Sequence, residues 1–265
     1  MKPFRVLLAG DTGTGKTTQL LTMPRPWYAH VFDPAAHSSL ELEPSEHMDF
    51  FPKQGDLDML PRVGLKSGTK RPALGEGPQV YMQWAKTFNA QAEAGHFDKV
   101  GTFLLDSATM LGLHLMERQR WLGDKQGRED ERQDHKLAGE TMINALWAVF
   151  SLPCHVLVTM HTKYAEVKVG DTKTGELRNK LTVPGGAQLA LPRYTSACWY
   201  TSIFEDQKTK KARYMALTRP QPRWPHVRTP RGWGELELYH DLTIKEWDHP
   251  ERYGIGALIE KAKSR

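Results

Sequence analysis

Eight residues near the N-terminus constrain what this chain can fold into more than any other feature. Residues 10–17 are GDTGTGKT and match the phosphate-binding loop pattern G-x-x-x-x-G-K-[ST] at every fixed position. The apolar run 4–9 predicts a buried strand before the loop, and 17–23 predicts a helix after it, ended by Pro24. In that setting the loop N–H groups and the helix N-terminus point at phosphate oxygens. The pattern therefore predicts a nucleotide site on a strand–loop–helix unit.

The residue types within the loop predict separate roles. Lys16 is expected to reach the β- and γ-phosphates as a catalytic group, and the Thr17 hydroxyl is expected to bind Mg²⁺. ATP and Mg²⁺ are therefore the predicted cofactors. The remaining nucleotide-binding candidates are Gly10, Asp11, Thr12, Gly13, Thr14, Gly15 and Thr18.

Length and composition set the broad class. The 265 residues suffice for one large domain or two small ones, with 39% hydrophobic and 25% charged residues, as in soluble globular proteins. No apolar run approaches the roughly 20 residues of a membrane span, and we expect no membrane partner. The first apolar run leads directly into the loop, so no signal peptide is expected. Cys154 and Cys198 lie in apolar runs and read as buried thiols, which favours a cytoplasmic location.

Apolar runs alternate with helical patterns along the chain, which predicts an α/β fold. We expect a mostly parallel central sheet with helices on both faces and antiparallel strands, 196–204 and 212–217, at the C-terminal edge. Residues 1–220 are predicted as the core, with an irregular excursion at 34–80. Residues 221–265 are predicted as a basic loop and helix packed on that core. Residues 164–183 predict a hairpin, and the stretch 117–136 is almost wholly polar and charged.

Three polar residues follow predicted strands and are expected at the same rim of the sheet as the loop. Asp106 ends the strand of the sequence TFLLDS and is predicted to hold Mg²⁺ through a water molecule; the alternative is a helix N-cap. Asp33 is a candidate for orienting the nucleophile, and its alternative is a turn-initiating aspartate before Pro34. His161 is a candidate γ-phosphate sensor that orders the hairpin, or a strand-end histidine with a local hydrogen bond.

The net charge of +5 is unevenly placed. Residues 205–231, here called the basic segment, hold eight lysines and arginines against two acidic residues. Tyr214 and Trp224 lie among these charges, so the segment could bind a nucleic-acid backbone and stack bases. The alternative is a solvated basic surface.

The motifs GDTGTGKT, TFLLDS and VTMHTK (158–163), followed by Gly185 and Gly186, resemble those of RecA-type ATPases. The resemblance is strongest to compact phage-encoded RecA-like proteins of the single-strand annealing and recombination type, and covers about residues 1–220. It implies that the stretches 117–136 and 164–184 are two loops that line a DNA channel. RecA-type proteins carry a catalytic glutamate where this chain has Asp33-Pro34-Ala35, which implies slow hydrolysis.

The same resemblance implies single-stranded DNA as a partner, a homo-oligomeric ring or filament, and a single-strand-binding protein as a further partner. The location implied is the bacterial host cytoplasm. The candidate DNA-binding residues are Lys163, Lys168, Lys173, Arg178, Lys180, Lys208, Lys210 and Lys211. The candidates for a basic residue acting on a neighbouring subunit's nucleotide are Arg213, Arg219 and Arg223.

The leading hypothesis is therefore a slow, DNA-stimulated ATPase that assists recombination or strand annealing. A nucleotide or small-molecule kinase is one alternative, although no compact arginine-rich lid motif is evident. A packaging or remodelling ATPase is a second, and it would need a further nuclease or lid domain. A third is a module that senses ATP without turnover.

Overall fold

The computed structural model describes residues 2–51, 78–127, 130–169 and 172–264. In that part of the chain an eight-stranded sheet has the order β10-β9-β8-β1-β5-β4-β2-β3, and β6 and β7 form a separate hairpin. The strands are β1 Arg5–Gly10, β2 Trp27–Val31, β3 His47–Asp49, β4 Thr102–Asp106, β5 His155–Met160, β6 Thr162–Val169, β7 Thr172–Leu181, β8 Ala197–Glu205, β9 Ala212–Leu217 and β10 Tyr239–Asp241.

The six strands from β8 to β3 are parallel, while β9 and β10 are antiparallel at the C-terminal edge. Strands β2 and β4 are buried at every position, as continuous apolar runs in a sheet covered on both faces should be. Parallel pairing brings the carboxyl ends of β1, β2, β4 and β5 to one rim. The predicted fold class is confirmed.

The helices lie in two groups. They are α1 Val80–Glu93, α2 Ala108–Lys125, α3 Glu131–Phe150, α4 Ala187–Ala190 and α5 Gly254–Lys263, with 3-10 helices at Thr17–Thr22, Pro34–Ser38, His96–Lys99, Leu191–Tyr194, Arg231–Trp233 and Pro250–Arg252. Helix α2 contacts α1, α3 and β5, whereas α5 contacts the 3-10 helix Thr17–Thr22. The connection from β1 to β2 moves across the sheet towards β3. The connections from β2 to β4 and from β4 to β5 move the other way, towards β10. Because such crossovers are right-handed, the two groups cover opposite faces.

The segment after the phosphate-binding loop differs from its prediction in geometry. It forms a 3-10 helix, Thr17–Thr22, rather than α-helical turns. The Met23 N–H bonds to the Leu20 carbonyl three residues back, and Pro24 follows at once. Since proline has no N–H to donate, Pro24 cannot continue the helix.

The interpretation of 117–136 as a loop was wrong. Helix α2 continues to Lys125, and α3 begins at Glu131, capped by the Asp130 carboxylate, which accepts from the N–H groups of Arg132 and Gln133. Glu, Arg, Gln and Lys are good helix formers, so a charged stretch of this composition forms exposed helix surface as readily as a loop. The hairpin predicted at 164–183 is present as β6 and β7.

The predicted excursion at 34–80 falls partly outside the described residues. Its described part holds the 3-10 helix Pro34–Ser38 and the short strand β3, which pairs with β2. At the other end of the chain, β10 pairs with β9, and the Gln19 side chain donates to the Leu242 carbonyl at 2.9 Å. The boundary at residue 220 stays a prediction.

Candidate nucleotide site

The loop at 10–17 follows β1 directly, and its glycines meet specific backbone requirements. Gly13 and Gly15 both have φ of +78°, a left-handed conformation that favours glycine. Glycine is required at position 10 for a different reason, because a Cβ there would collide with the side-chain and carbonyl oxygens of Thr201. Strand β8, which pairs with β1, therefore demands a glycine where the loop begins.

Lys16 is buried at the centre of this loop. Its Nζ donates to the carbonyl of Asp11 at 2.6 Å and to that of Gly10 at 3.1 Å. Burial lowers the pKa of Lys16 below its ordinary value, and the negative charge of Asp106 is the largest effect opposing that shift. An ammonium group held on loop carbonyls can turn to a phosphate oxygen at little cost, because it exchanges one set of acceptors for another.

Asp106 lies beside the loop, where its carboxylate receives two hydroxyl donors. Thr17 Oγ1 donates to Oδ2 at 2.8 Å, and Thr159 Oγ1 donates to Oδ1. Burial raises the pKa of Asp106, while these two hydrogen bonds act in the opposite direction. Asp106 is the last residue of β4 and does not cap the helix that follows. Ser107 caps α2 instead, because its side chain accepts a hydrogen bond from the Met110 N–H.

The residues present fit a Mg²⁺ site. Mg²⁺ prefers oxygen ligands and keeps several waters, and the Thr17 hydroxyl and Asp106 carboxylate are oxygen groups already in contact. They would hold the ion against the phosphates that Lys16 also faces. The predicted metal roles of these two residues stay predictions.

Asp33 and His161 line the same cavity as Lys16 and Asp106. The Asp33 carboxylate also accepts from the Ala35 N–H at 3.0 Å, so it caps the 3-10 helix Pro34–Ser38, as its alternative interpretation holds. Burial, followed by the positive charge of Lys16, lowers the pKa of His161 and favours the neutral imidazole. The backbone N–H of His161 donates to Thr109 Oγ1 at 2.9 Å. A hydrogen bond of this kind is expected under the alternative interpretation of His161 as a strand-end histidine. Neither catalytic role is decided by these contacts.

The cavity has a volume of about 270 Å³ and includes eight residues that sequence reasoning did not assign to it. Gln19 follows the loop, Ala35, Ala36 and Ser39 follow Asp33, and the other four form a largely apolar wall contributed by β9 and the chain after β10. These are Tyr214, Leu242, Ile244 and Trp247. Tyr214 comes so close to the loop that a Cβ on Gly15 would lie 2.9 Å from its Cδ1. Of the predicted loop residues, Thr12 to Thr18 line the cavity, whereas Gly10 and Asp11 contribute carbonyls to Lys16.

Comparison with protein families decides the class. A family model described as AAA domain matches residues 2–226. The chain belongs to this AAA domain family. Together with the loop, Asp106 and the mostly parallel sheet, membership identifies a nucleotide-binding domain of P-loop ATPase type.

Other comparisons add little to that assignment. A KaiC-like protein, PH0186, from the hyperthermophilic archaeon Pyrococcus horikoshii OT3 is similar in structure, with a TM-score of 0.43 and 12% identity. The alignment covers 94% of this chain and 87% of that one. A search of curated proteins found no significant sequence match. Among the residues that the structure describes, no helix is long and apolar enough to cross a membrane.

The predicted DNA-binding residues of the AAA domain fall in two places. On the hairpin, Lys163 and Lys180 are both exposed and lie directly opposite each other across β6 and β7, whereas the Arg178 side chain is half-buried. The side chains of Lys168 and Lys173 lie outside the described residues. The other place is the turn between β8 and β9, which holds Lys208, Lys210 and Lys211. There Lys210 pairs with Glu205 at 3.1 Å.

Two of the three arginines predicted to act on a neighbouring subunit have partners within their own chain. Arg213 pairs with Asp241 at 2.8 Å, and Arg219 donates to the Leu236 carbonyl at 2.6 Å. The Arg223 side chain is exposed, in the loop after β9. The aromatic residues of the basic segment are also engaged, since Trp224 packs on Tyr200 with ring centroids 4.0 Å apart.

Proposed function

We propose that this AAA domain is an ATP-binding, slowly hydrolysing ATPase that binds single-stranded DNA and assists recombination or strand annealing as a homo-oligomer. The observation that carries the ATPase part is the contact between Thr17 and Asp106 at 2.8 Å beside the buried Lys16. These groups are what Mg²⁺-assisted phosphoryl transfer needs: a metal position and a fixed cation at the phosphates.

Slow turnover is supported by the environment of Asp33. It is the carboxylate at the end of β2 that faces the pocket, and one of its oxygens is already committed to the Ala35 N–H. A carboxylate that caps a helix is a poorer group for orienting water than an unengaged glutamate on a longer side chain. ATP binding, rather than rapid hydrolysis, is then the step that changes the protein's state.

The hairpin is well placed to respond to that step. Strand β5 ends at Met160, His161 lies in the cavity, and β6 begins at Thr162. Thr162 Oγ1 donates to the Asp11 carboxylate at 3.3 Å, which links the base of the hairpin to the phosphate-binding loop. A nucleotide that moves the loop or the His161 ring therefore acts on the first residues of the hairpin.

The charges on the hairpin favour a polyanion as its partner. Lys163 and Lys180 occupy opposite positions on adjacent strands, and like charges so placed repel each other. A phosphate backbone between them would remove that repulsion. Tyr164, on the opposite face of β6 and 63% exposed, offers a ring on which an unpaired base of a strand that wraps the hairpin can stack.

The test measures ATP hydrolysis and binding of a fluorescent single-stranded oligonucleotide, each with and without the other ligand. We expect ATP to tighten DNA binding, DNA to stimulate hydrolysis, and affinity to fall steeply with salt. For the Lys163→Ala/Lys180→Ala variant, the plot of log affinity against log salt concentration should be less steep. One or two fewer counterions are released on binding, and each accounts for roughly 0.7 of the slope. Lys208→Ala/Lys211→Ala, which removes two charges from the β8–β9 turn, is the matched control.

Three results would contradict parts of the proposal. If DNA neither binds nor changes hydrolysis at low salt, the DNA part fails while the ATPase part stands. If the control variant loses as much DNA affinity as the hairpin variant, the partner binds the basic segment instead. If His161→Ala shows the same ATP stimulation of DNA binding as the parent, His161 does not transmit the nucleotide state. Phosphate transfer to a nucleoside monophosphate would identify a kinase.

A further inference from the structure

A cluster of two histidines and one aspartate lies close to the nucleotide cavity but outside it. His37 is on the 3-10 helix Pro34–Ser38, and His47 and Asp49 are on β3. One ligand atom from each residue lies within 4.8 Å of the others. His47 and Asp49 are two positions apart, so they share a face of their strand, and this face meets the helix that carries His37.

The distances suit a small divalent cation. His37 Nε2 lies 2.9 Å and His47 Nε2 lies 3.7 Å from Asp49 Oδ1. In a tetrahedral site with bonds of about 2.0–2.1 Å, ligand atoms are separated by about 3.3 Å, which falls between these two values. Small side-chain adjustments would therefore bring all three atoms to bonding distance.

The hydrogen bonding of His47 is an independent indication of a ligand. Its Nδ1 lies 2.9 Å from the Glu43 carbonyl oxygen, and a carbonyl can only accept, so Nδ1 carries the proton. Nε2 is therefore the ring nitrogen that faces the Asp49 carboxylate and is placed to bind a cation there. A backbone carbonyl on the far ring nitrogen is also the arrangement that orients metal-bound histidines.

We propose that His37, His47 and Asp49 form a binding site for a divalent transition metal, with Zn²⁺ as the best match. Two imidazoles and one carboxylate suit Zn²⁺ better than Mg²⁺, which prefers oxygen ligands. Water completes the coordination, because His37 is 38% exposed and opens the site to solvent. On binding, His37 adopts the tautomer with its proton on Nδ1, which frees Nε2 for the metal.

The site would link two elements that the nucleotide cavity depends on. The helix Pro34–Ser38 contributes Ala35 and Ala36 to the cavity wall and is capped by Asp33. Strand β3 pairs with β2, which ends just before Asp33. A metal held by His37 on the helix and by His47 and Asp49 on the strand fixes this wall in place, separately from any Mg²⁺ bound at Asp106.

The test is a calorimetric titration of the metal-stripped, tag-free full chain with Zn²⁺ alone, in the absence of nucleotide. We expect one equivalent to bind and the thermal midpoint to rise with Zn²⁺. His37→Ala and His47→Ala should each lose at least 10-fold in affinity and most of the midpoint shift. His249→Ala removes an exposed histidine elsewhere on the surface and is the control that should bind as the parent does.

Co²⁺ provides a second readout, because its visible absorption reports coordination by nitrogen and oxygen and its loss in the variants needs no activity. His37→Ala changes an exposed helix residue, so it is expected to fold even if His47→Ala does not. The proposal is overturned if the parent binds no stoichiometric Zn²⁺ at micromolar concentrations. It is equally overturned if His37→Ala binds Zn²⁺ as tightly as the parent and His249→Ala.

Discussion

The nucleotide cavity and the basic segment 205–231 both carry cationic side chains, but in different surroundings. Lys16 is buried close to the Asp106 carboxylate, and it donates to two loop carbonyls. In the basic segment, lysines and arginines lie on a turn, an edge strand and a loop, where Lys210 and Arg213 pair with surface carboxylates. A binding site is indicated by buried polar and charged side chains that face one cavity. The number of charged residues in a segment does not indicate one.

The largest expected effect is on Lys16. Lys16→Ala should lower ATP hydrolysis at least about 100-fold, because it removes the buried cation that faces the transferred phosphoryl group. Lys208→Ala removes an equal charge from the exposed turn and should leave hydrolysis unchanged. Phosphate release at saturating Mg²⁺-ATP measures both. Equal losses in the two variants would mean that the contrast between the regions is not functional.

Asp106→Asn should separate activity from stability. We expect hydrolysis to fall by about 10- to 100-fold, with weaker dependence on Mg²⁺, because the ionised carboxylate is lost. Stability should change in the opposite direction. Burial raises the pKa of Asp106 in the folded protein, so the folded state binds a proton more tightly than the unfolded state. Its contribution to stability is therefore greatest at low pH and is lost as pH rises through the folded-state pKa.

Urea unfolding from pH 4 to 8 checks this second expectation. Asn cannot ionise, so the variant should lack this part of the pH dependence and be more stable than the parent at pH 7. A variant that is less stable than the parent at pH 7 would show that the hydrogen bonds from Thr17 and Thr159 outweigh the cost of burying the charge.

Two aromatic residues of the basic segment offer a smaller, sharper test. Tyr214 lies in the cavity wall against Gly15, while Trp224 packs on Tyr200. If the nucleotide base stacks on Tyr214, Tyr214→Ala should weaken ATP binding by roughly 5- to 150-fold, corresponding to about 1–3 kcal/mol. Trp224→Ala should lower thermal stability and leave ATP affinity intact. Fluorescent-nucleotide titrations and thermal melts would contradict this assignment if the two effects were reversed.

The smallest effect is expected at Arg213. Its pair with Asp241 is exposed, and such pairs contribute little to stability, so Arg213→Ala should scarcely change the thermal midpoint or ATP affinity. A large loss of hydrolysis at unchanged ATP affinity, with the parent's activity rising with protein concentration, would instead assign Arg213 to a neighbouring subunit's nucleotide. That outcome would make part of the basic segment functional.

Much of the site could be predicted because its parts are local in sequence. The loop pattern and the strand ends placed Lys16, Thr17, Asp33, Asp106 and His161 at one rim, and the structure brings all of them to one cavity. The wall formed by Tyr214, Leu242 and Trp247 could not be predicted. No motif marks these residues, and their positions depend on how β9 and β10 pair at the sheet edge.

The stretch 117–136 shows a second limit. The resemblance to RecA-type proteins implied a loop, but the Asp130 cap and the helix-forming side chains place most of it in α2 and α3. Helix propensity and capping are local properties of this chain, whereas the resemblance carried over an element from other proteins. The alternation of strands and helices, by contrast, was a repeated signal, so the fold class was confirmed even where an individual element was not.

The sequence by itself determined the nucleotide-binding loop, the order of the strands along the chain and the α/β class, because each depends on neighbouring residues and on hydrophobic periodicity. Only the tertiary structure decided the apolar wall, the partners of Arg213 and Arg219, and the meeting of His37 with His47 and Asp49. Those contacts join separate segments or elements, and their geometry is fixed by strand pairing and burial rather than by any local pattern.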